Sequence, residues 1–277
     1  MLQWKKKRKG GRDMTQRDYA YSGENLFFKH ETSRNLPKDA YSMHSHNMYE
    51  LLYFVNGDAT HVIEDRQYKL KRGDLVLIKP SKYHFIRIDS DCNYERYDIL
   101  FSPRTKNLDG LEMLDEIPEI INLEEYPMAT EIIKKTDFYY KHFGGDDFER
   151  ILTGLLCELF YLLSVTPATE NTDAPMVSSP TLSLALTYIN DNITSLTGVE
   201  EVAKNCFVTE SYLYRLFKNE LHQTPAKYIV SKRLLLAERM IADGEKPTSV
   251  YEKCGFYDYT TFYRNYRSFF GHSPSDS

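Results

Sequence analysis

The sequence predicts an α+β multidomain protein: an all-β barrel or sandwich, then a helical hairpin, then an all-α C-terminal region. Three observations predict this order. From Leu26 to about Phe101, short apolar runs alternate with turn residues, as closely spaced strands do. After Pro103, apolar residues recur at helical spacing. Residues 166–180 hold three prolines and little apolar content, so they read as a linker between two bodies.

Near the start, Lys5-Lys6-Lys7-Arg8-Lys9 has no apolar run behind it, so no secretory signal is expected. Residues 1–20 are expected to be a basic, solvated, disordered tail, and Met14 is an alternative start. Residues 21–103 carry the strands. Examples are Glu50-Leu51-Leu52-Tyr53-Phe54-Val55 before the turn Asn56-Gly57, then Ala59-Thr60-His61-Val62-Ile63, Asp74-Leu75-Val76-Leu77-Ile78 and His84-Phe85-Ile86-Arg87-Ile88. Residues 104–165 are expected to be helical. One stripe is Ile132, Ile133, Thr136, Tyr139 and Tyr140; a second, wider one runs from Ile151 and Leu152 to Leu162 and Leu163. Two readings of the wide stripe stay open: packing against the barrel, and a homodimer interface.

Composition narrows the function. No apolar stretch approaches the roughly 18 residues that cross a bilayer, so no membrane partner is expected. The four cysteines are far apart with no Cys-x-x-Cys pair, which argues against a disulfide framework and suits a cytoplasmic location. Residues 13–180 hold 18 basic and 29 acidic side chains, whereas residues 181–277 hold 11 of each. An acidic body repels nucleic acid, so any DNA contact falls to the neutral C-terminal third.

That third, residues 181–277, reads as two copies of a small helical unit. In the first, Val199–Asn205 is a short helix, Ala203 is small enough for a close crossing, and Thr209 caps the next helix. That helix buries Leu213, Leu216 and Phe217. Thr224-Pro225 starts a long helix that stops at Asp243-Gly244. The unit then recurs, with Gly255-Phe256 as the turn and Asp258 as cap, burying Phe262, Tyr266 and Phe269.

Tyr212-Leu213-Tyr214-Arg215-Leu216-Phe217-Lys218, Gly255-Phe256-Tyr257-Asp258-Tyr259-Thr260-Thr261-Phe262-Tyr263-Arg264 and the ending Phe270-Gly271-His272-Ser273-Pro274 resemble the signature of the AraC/XylS family of transcription regulators. The resemblance implies two helix-turn-helix units on a rigid linking helix, reading successive major grooves of double-stranded DNA. Geometry then nominates Ser211, Tyr214, Arg215 and Lys218 in the first unit, and Tyr259, Thr261, Arg264 and Arg267 in the second. An alternative role for Arg215 and Arg264 is salt bridging between helices. The sequence departs from the family at His222, where Gly is usual, at Pro247, at Tyr266 and at Tyr251. The Tyr251 ring, where a small residue is usual, is expected to displace the second recognition helix.

In the β region, His44-Ser45-His46 precedes Glu50 and Gly57, and Gly73-Asp74 leads to Pro80 and His84. Residues two apart on a strand share a face. The two patterns resemble the cupin motifs, with Lys82 where the second commonly has Gly, and imply a cupin-like β-barrel. Three imidazoles and one carboxylate are the ligand types of Zn, Mn, Fe or Ni. Hydrogen bonding to a small-molecule effector is the favoured use, with no metal and no cofactor. Tyr53, with Tyr41, Tyr49 and Tyr83 nearby, adds rings suited to a sugar. The expected function is a sequence-specific transcriptional regulator, an activator as is usual in the family, with RNA polymerase as a further partner. The rival is a cupin-type metalloenzyme, a sugar isomerase or dioxygenase, which leaves residues 181–277 without a purpose.

Overall fold

The computed structural model describes residues 15–34, 36–37, 40–41, 43–166, 176–177 and 179–275. The basic head and most of the expected linker lie outside the described residues. The chain packs as two compact units. The first takes residues up to 175 apart from 45–47 and 63–67, which group with residues 176–277 in the second.

The β-rich part has ten strands among the described residues. They are β1 (Thr15–Ser22), β2 (Leu26–Arg34), β3 (Tyr49–Asn56), β4 (Ala59–Ile63), β5 (Arg66–Lys69), β6 (Asp74–Ile78), β7 (His84–Ile88), β8 (Asn93–Phe101), β9 (Ile120–Asn122) and β10 (Met176–Val177). One sheet runs β1-β2-β8-β3-β6-β9 and the other β10-β5-β4-β7. With the helices below, they give the expected α+β architecture. Three boundaries differ from expectation. The tail set at 1–20 ends sooner, because β1 pairs with β2 from Thr15↔Ser33 onward. The span 104–165 is not wholly helical, because β9 pairs with β6 and adds a strand to the first sheet. The linker holds β10, which pairs with β5. Strands of two or three residues are too short to carry a readable alternation.

Period-two alternation assigns the two faces of the large sheet. Phe28 on β2, Leu51 and Tyr53 on β3, and Tyr97, Ile99 and Phe101 on β8 belong to one core with the helices α1 (Pro127–His142) and α2 (Gly145–Val165). Ile132 and Ile133 from α1, and Leu152, Leu156, Leu159 and Leu163 from α2, fill that core. The wide stripe therefore packs on the sheet. Phe138, Phe143, Tyr161 and Val165 stay exposed on the hairpin's outer side.

His30 ties this layer together. Its Nδ1 lies 2.9 Å from Asp137 of α1 and its Nε2 lies 3.0 Å from Glu95 of β8, while its ring stacks on Tyr97 with centroids 3.8 Å apart. Burial opposes charge on this ring, but the bonds to Asp137 and Glu95 outweigh it, so the pKa is raised. A raised folded pKa means the clamp stabilises fully below the ordinary histidine pKa, about 6.5, and is lost as pH rises through the folded value. His30→Gln is therefore expected to narrow the stability difference between mildly acidic and mildly alkaline buffer in urea titrations. An unchanged difference would show that His30 is not the titrating group.

The second unit is helical: α3 (Pro180–Asp191), α4 (Val199–Asn205), α5 (Glu210–Leu221), α6 (Pro225–Ala242), α7 (Pro247–Lys253) and α8 (Tyr259–Phe270). The caps read from sequence are formed. Thr209 accepts from the Tyr212 amide at 3.2 Å, Thr224 from Lys227 at 3.2 Å, and Asp258 from Thr261 at 2.8 Å. Each satisfies an amide that the first helical turn leaves unpaired. Pro247 occupies the first turn of α7, where its missing N–H costs nothing. His222 sits at the left-handed C-cap of α5, φ 52°, the conformation that favours the usual Gly. Gly255 has φ +81°, and a Cβ there would lie 2.6 Å from the Thr194 carbonyl oxygen, so this turn requires glycine.

Candidate functional site

Two features could carry function: the exposed faces of α5 and α8, and a polar recess in the β-rich unit.

On α5, Leu213, Phe217 and Leu221 are buried, while Leu216 is half-buried. Ser211, Arg215 and Lys218 are exposed and Tyr214 is half-buried, with the Arg215 guanidinium 5.4 Å from the Tyr212 ring centroid. On α8, Phe262 and Tyr266 are buried. Phe269, expected inside, is 39% exposed, because Phe262 and Tyr266 already occupy the inward positions one turn apart. Arg264 and Arg267 are exposed, and Tyr259 and Thr261 half-buried. The Tyr266 hydroxyl donates to Glu238 of α6, which gives the Phe-to-Tyr departure a partner.

Tyr251 does not displace α8. Val250 and Cys254, both 0% exposed, fill the inside of α7. Tyr251 lies at the rim, its ring 5.8 Å edge-on from Tyr259 and its hydroxyl 2.8 Å from Glu252. One position along a helix turns the side chain by about 100°, enough to take the ring out of the crossing. By contrast Arg233 is buried, and it donates from Nε to the Ile193 carbonyl at 2.9 Å and from Nη2 to the Leu196 carbonyl at 2.5 Å. It bonds a turn that the cations of α5 and α8 leave alone.

In the β-rich unit, a small recess is lined by Tyr41, His44, Glu50, His61, His84, Phe85, Ile86, Arg96 and Asp98. The His44 and His84 backbones form a bridge, with N···O distances of 3.1 and 2.9 Å, and their rings sit 4.3 Å apart. His84 Nε2 is 3.2 Å from Glu50, and its Nδ1 donates to the Lys82 carbonyl at 3.0 Å. Burial disfavours charge on His84, but Glu50 and Lys82 outweigh it, so its pKa is raised. The ligand-type atoms of His44, His46, Glu50 and His84 all lie within 4.8 Å of one another. That donor set fits one divalent transition ion, for which it would supply three imidazoles and a carboxylate. It equally supplies donors and acceptors to a polar molecule.

Tyr53, expected beside these histidines, faces away from them. It is three residues from Glu50, so it lies on the opposite face of β3, in the core under the helical hairpin. Tyr49 shares that face and stacks on Phe101. Tyr41 is the tyrosine that lines the recess, its hydroxyl accepting from Arg96 Nη1 at 2.8 Å.

Sequence reasoning missed three polar lining residues, His61, Arg96 and Asp98. Arg96 donates from Nε to Asp98 at 2.7 Å and approaches Glu31 within 3.6 Å; Lys29 pairs with the same Glu31. Alternation in Tyr94-Glu95-Arg96-Tyr97-Asp98 marks Arg96 and Asp98 as sharing a face, a signal available before the fold. His61 is wholly buried, and burial, with His84 nearby, holds its pKa down to about 3, so its ring is neutral. Among the described residues, neither His61 nitrogen has a hydrogen-bond partner. A buried polar group without one costs about 1–3 kcal/mol.

Comparison with known proteins agrees with this division. Residues 32–132 match the family model described as AraC-like ligand binding domain, and residues 202–277 match one described as Helix-turn-helix domain. The chain belongs to the AraC family of transcriptional regulators. It is 25% identical to the raffinose operon transcriptional regulatory protein RafR of Pediococcus pentosaceus, over 93% of this chain and 87% of that one. It is 24% identical to the transcriptional activator RhaS of Escherichia fergusonii, over 87% of this chain and 88% of that one. The probable transcriptional regulator LumQ of Photobacterium leiognathi is 36% identical over 32% of this chain, which spans only 36% of LumQ. Among solved structures, an AraC-type regulator from Chromobacterium violaceum is 28% identical over 35% of this chain and 88% of that one, with a TM-score of 0.33. The protein is a DNA-binding regulator, as the relatives named above are transcriptional regulators. No described helix is long and apolar enough to cross a membrane.

Proposed function

We propose that the protein is a cytoplasmic transcriptional activator that binds a small polar effector, of the carbohydrate class, in the recess of residues 21–103. Residues 181–277 then read DNA through α5 and α8, and residues 104–165 join two copies. The observation that carries this reading is the pairing of a mixed donor–acceptor recess with two capped helix-turn-helix units whose arginines are exposed. Ser211, Arg215 and Lys218 on α5, and Arg264 and Arg267 on α8, reach the duplex. Tyr214, Tyr259 and Thr261 border them. A net charge of zero over the reading unit gives each module modest affinity. Two copies on repeated half-sites raise the total by effective concentration. The exposed aromatics Phe138 and Tyr161 on the hairpin suit that second copy. RNA polymerase is the partner through which occupancy becomes transcription.

In this reading His44, His46, Glu50 and His84 hydrogen-bond the effector; one equivalent of metal per chain, purified without a polyhistidine tag, would overturn that assignment. An effector shifts the regulatory equilibrium only by its difference in affinity for the two states. Titrating raffinose and its component sugars into a footprint of the full chain on selected duplex is expected to change occupancy. Unaltered occupancy and unaltered transcription across a broad panel of small polar metabolites would remove the sensor role.

A further inference from the structure

Among the arginines of the helical unit, Arg215, Arg239, Arg264 and Arg267 are exposed, and Arg233 is buried. Arg233 is the ninth of the 18 residues of α6, the helix that joins α5 to α7. Its Nε and Nη2 donate to the Ile193 and Leu196 carbonyls at 2.9 and 2.5 Å. Those carbonyls belong to the turn between α3 and α4, and α3 packs on both α4 and α5. The middle of the linking helix is thus bonded to the first helix-turn-helix unit.

The same guanidinium faces the second unit. A Cβ built on Gly255, in the turn between α7 and α8, would fall 2.9 Å from Arg233 Cζ and Nε, and 2.6 Å from the Thr194 carbonyl oxygen. The missing side chain is what lets this turn, the α3–α4 turn and the guanidinium meet at one point. Stability alone does not account for an arginine there. Its hydrogen bonds go to backbone carbonyls, and burial pushes its pKa down. An apolar side chain of similar volume is often neutral or stabilising in place of a buried ion. A guanidinium does offer what an apolar chain lacks: a planar fork of donors, which fixes orientation as well as distance. A single helix about 27 Å long is free to curve. A brace from its middle to a turn of each unit removes that freedom.

We propose that Arg233 is a positioning residue that fixes the phase between the recognition helices α5 and α8, and so makes the protein selective for the spacing of its two DNA elements. It touches no base itself. The assignment rests on the reading of α5 and α8 as one DNA-reading surface. One base pair turns the duplex by about 34–36°, so a braced pair of helices rejects a one-base-pair change that a loose pair accepts.

The test uses the full chain and the duplex it selects, with one base pair inserted or deleted between the two recognition elements. The wild type is expected to lose about tenfold in affinity on either change, as for a mismatched base pair. Arg233→Met keeps most of the stem and removes the fork, and is expected to bind the native and altered spacings nearly equally. Arg233→Lys, which keeps the charge without the fork, is expected to fall between them, and carries the comparison should the methionine variant not fold. A residue that only supports the fold would instead lower affinity in proportion at every spacing, and that result would overturn the proposal. A second readout needs no DNA. Spin labels attached to keto amino acids at the exposed positions Asn219 of α5 and Ser268 of α8, in chains diluted with unlabelled protein, report the distance between the helices. The distribution is expected to be narrow in the wild type and broader in Arg233→Met. An unchanged distribution would overturn the proposal, as would a wild type that reads both elements yet ignores their spacing. A distribution that broadens in the variant, in a protein whose wild type is indifferent to the second element, would sink the two-unit reading and leave the brace standing.

Discussion

Arg96→Met is expected to lower the stability of the β-rich unit by about 3–5 kcal/mol, the usual cost of removing one partner from a buried ion pair. Arg96 is 1% exposed and sits among Asp98, Glu31, Tyr41 and the ring of Tyr94, 5.1 Å away. Burial works against its charge, but Asp98, Tyr41, Tyr94 and Glu31 together outweigh it and raise its pKa. Methionine preserves much of the stem and removes the guanidinium. Glu31, 0% exposed, then keeps Lys29 as its paired cation and the Ser33 hydroxyl as a donor, and Asp98 loses its bonded cation. The carboxylates must either stay charged in an apolar wall or take up protons. Urea denaturation followed at the barrel tyrosines measures the loss, and a change below about 1 kcal/mol would show that the network contributes little net stability. The same substitution should deform the recess, since Arg96 orients both Tyr41 and Asp98.

Arg215→Ala is expected to weaken binding to a selected duplex by about 1–3 kcal/mol, roughly 5- to 150-fold, if the guanidinium pairs with guanine in the major groove. Arg215 is exposed and lies against the Tyr212 ring, 5.4 Å from its centroid, so its removal should leave thermal stability nearly untouched. Measured by fluorescence anisotropy at two salt concentrations, a base-reading arginine and a phosphate-binding one separate. Loss of base reading relaxes sequence preference, whereas loss of a phosphate contact lowers affinity evenly and flattens the salt slope by about one. Unaltered affinity and preference would exclude Arg215 from the interface. Arg264 of α8 admits the same comparison, and an effect there would show that the second unit also reads DNA despite Tyr251.

How much of this was legible beforehand depends on whether the cause is local. Thr209, Thr224 and Asp258 could be named as caps because an N-cap acts within three residues of itself. The turn glycine Gly255 and the quartet His44, His46, Glu50 and His84 were likewise visible as spacings. Tyr53 was misplaced because nearness in sequence was allowed to outweigh strand parity. Phe269 was misplaced because helix ends carry more apolar residues than their cores can bury. Arg96 and Asp98 become neighbours of Glu31 and Lys29 only through the register of β8 with β2, which pairs Arg96 with Glu31 and Asp98 with Lys29. Such long-range pairing leaves no trace in a single strand's pattern. His61 was passed over because, inside Ala59-Thr60-His61-Val62-Ile63, it reads with Thr60 as a polar interruption of a short strand. Its solitude emerges only when every neighbour is known. The strand β9 escaped notice for a simpler reason: three residues cannot show a period.

The claim on which the rest depends is that α5 and α8 form one DNA-reading surface. Selection of duplexes from a random pool by the full chain, at low salt and against scrambled competitor, tests it most directly. The account predicts an enriched site with two recognition elements about one helical turn, roughly 10–10.5 base pairs, apart. A pool that stays unenriched after repeated rounds would contradict it.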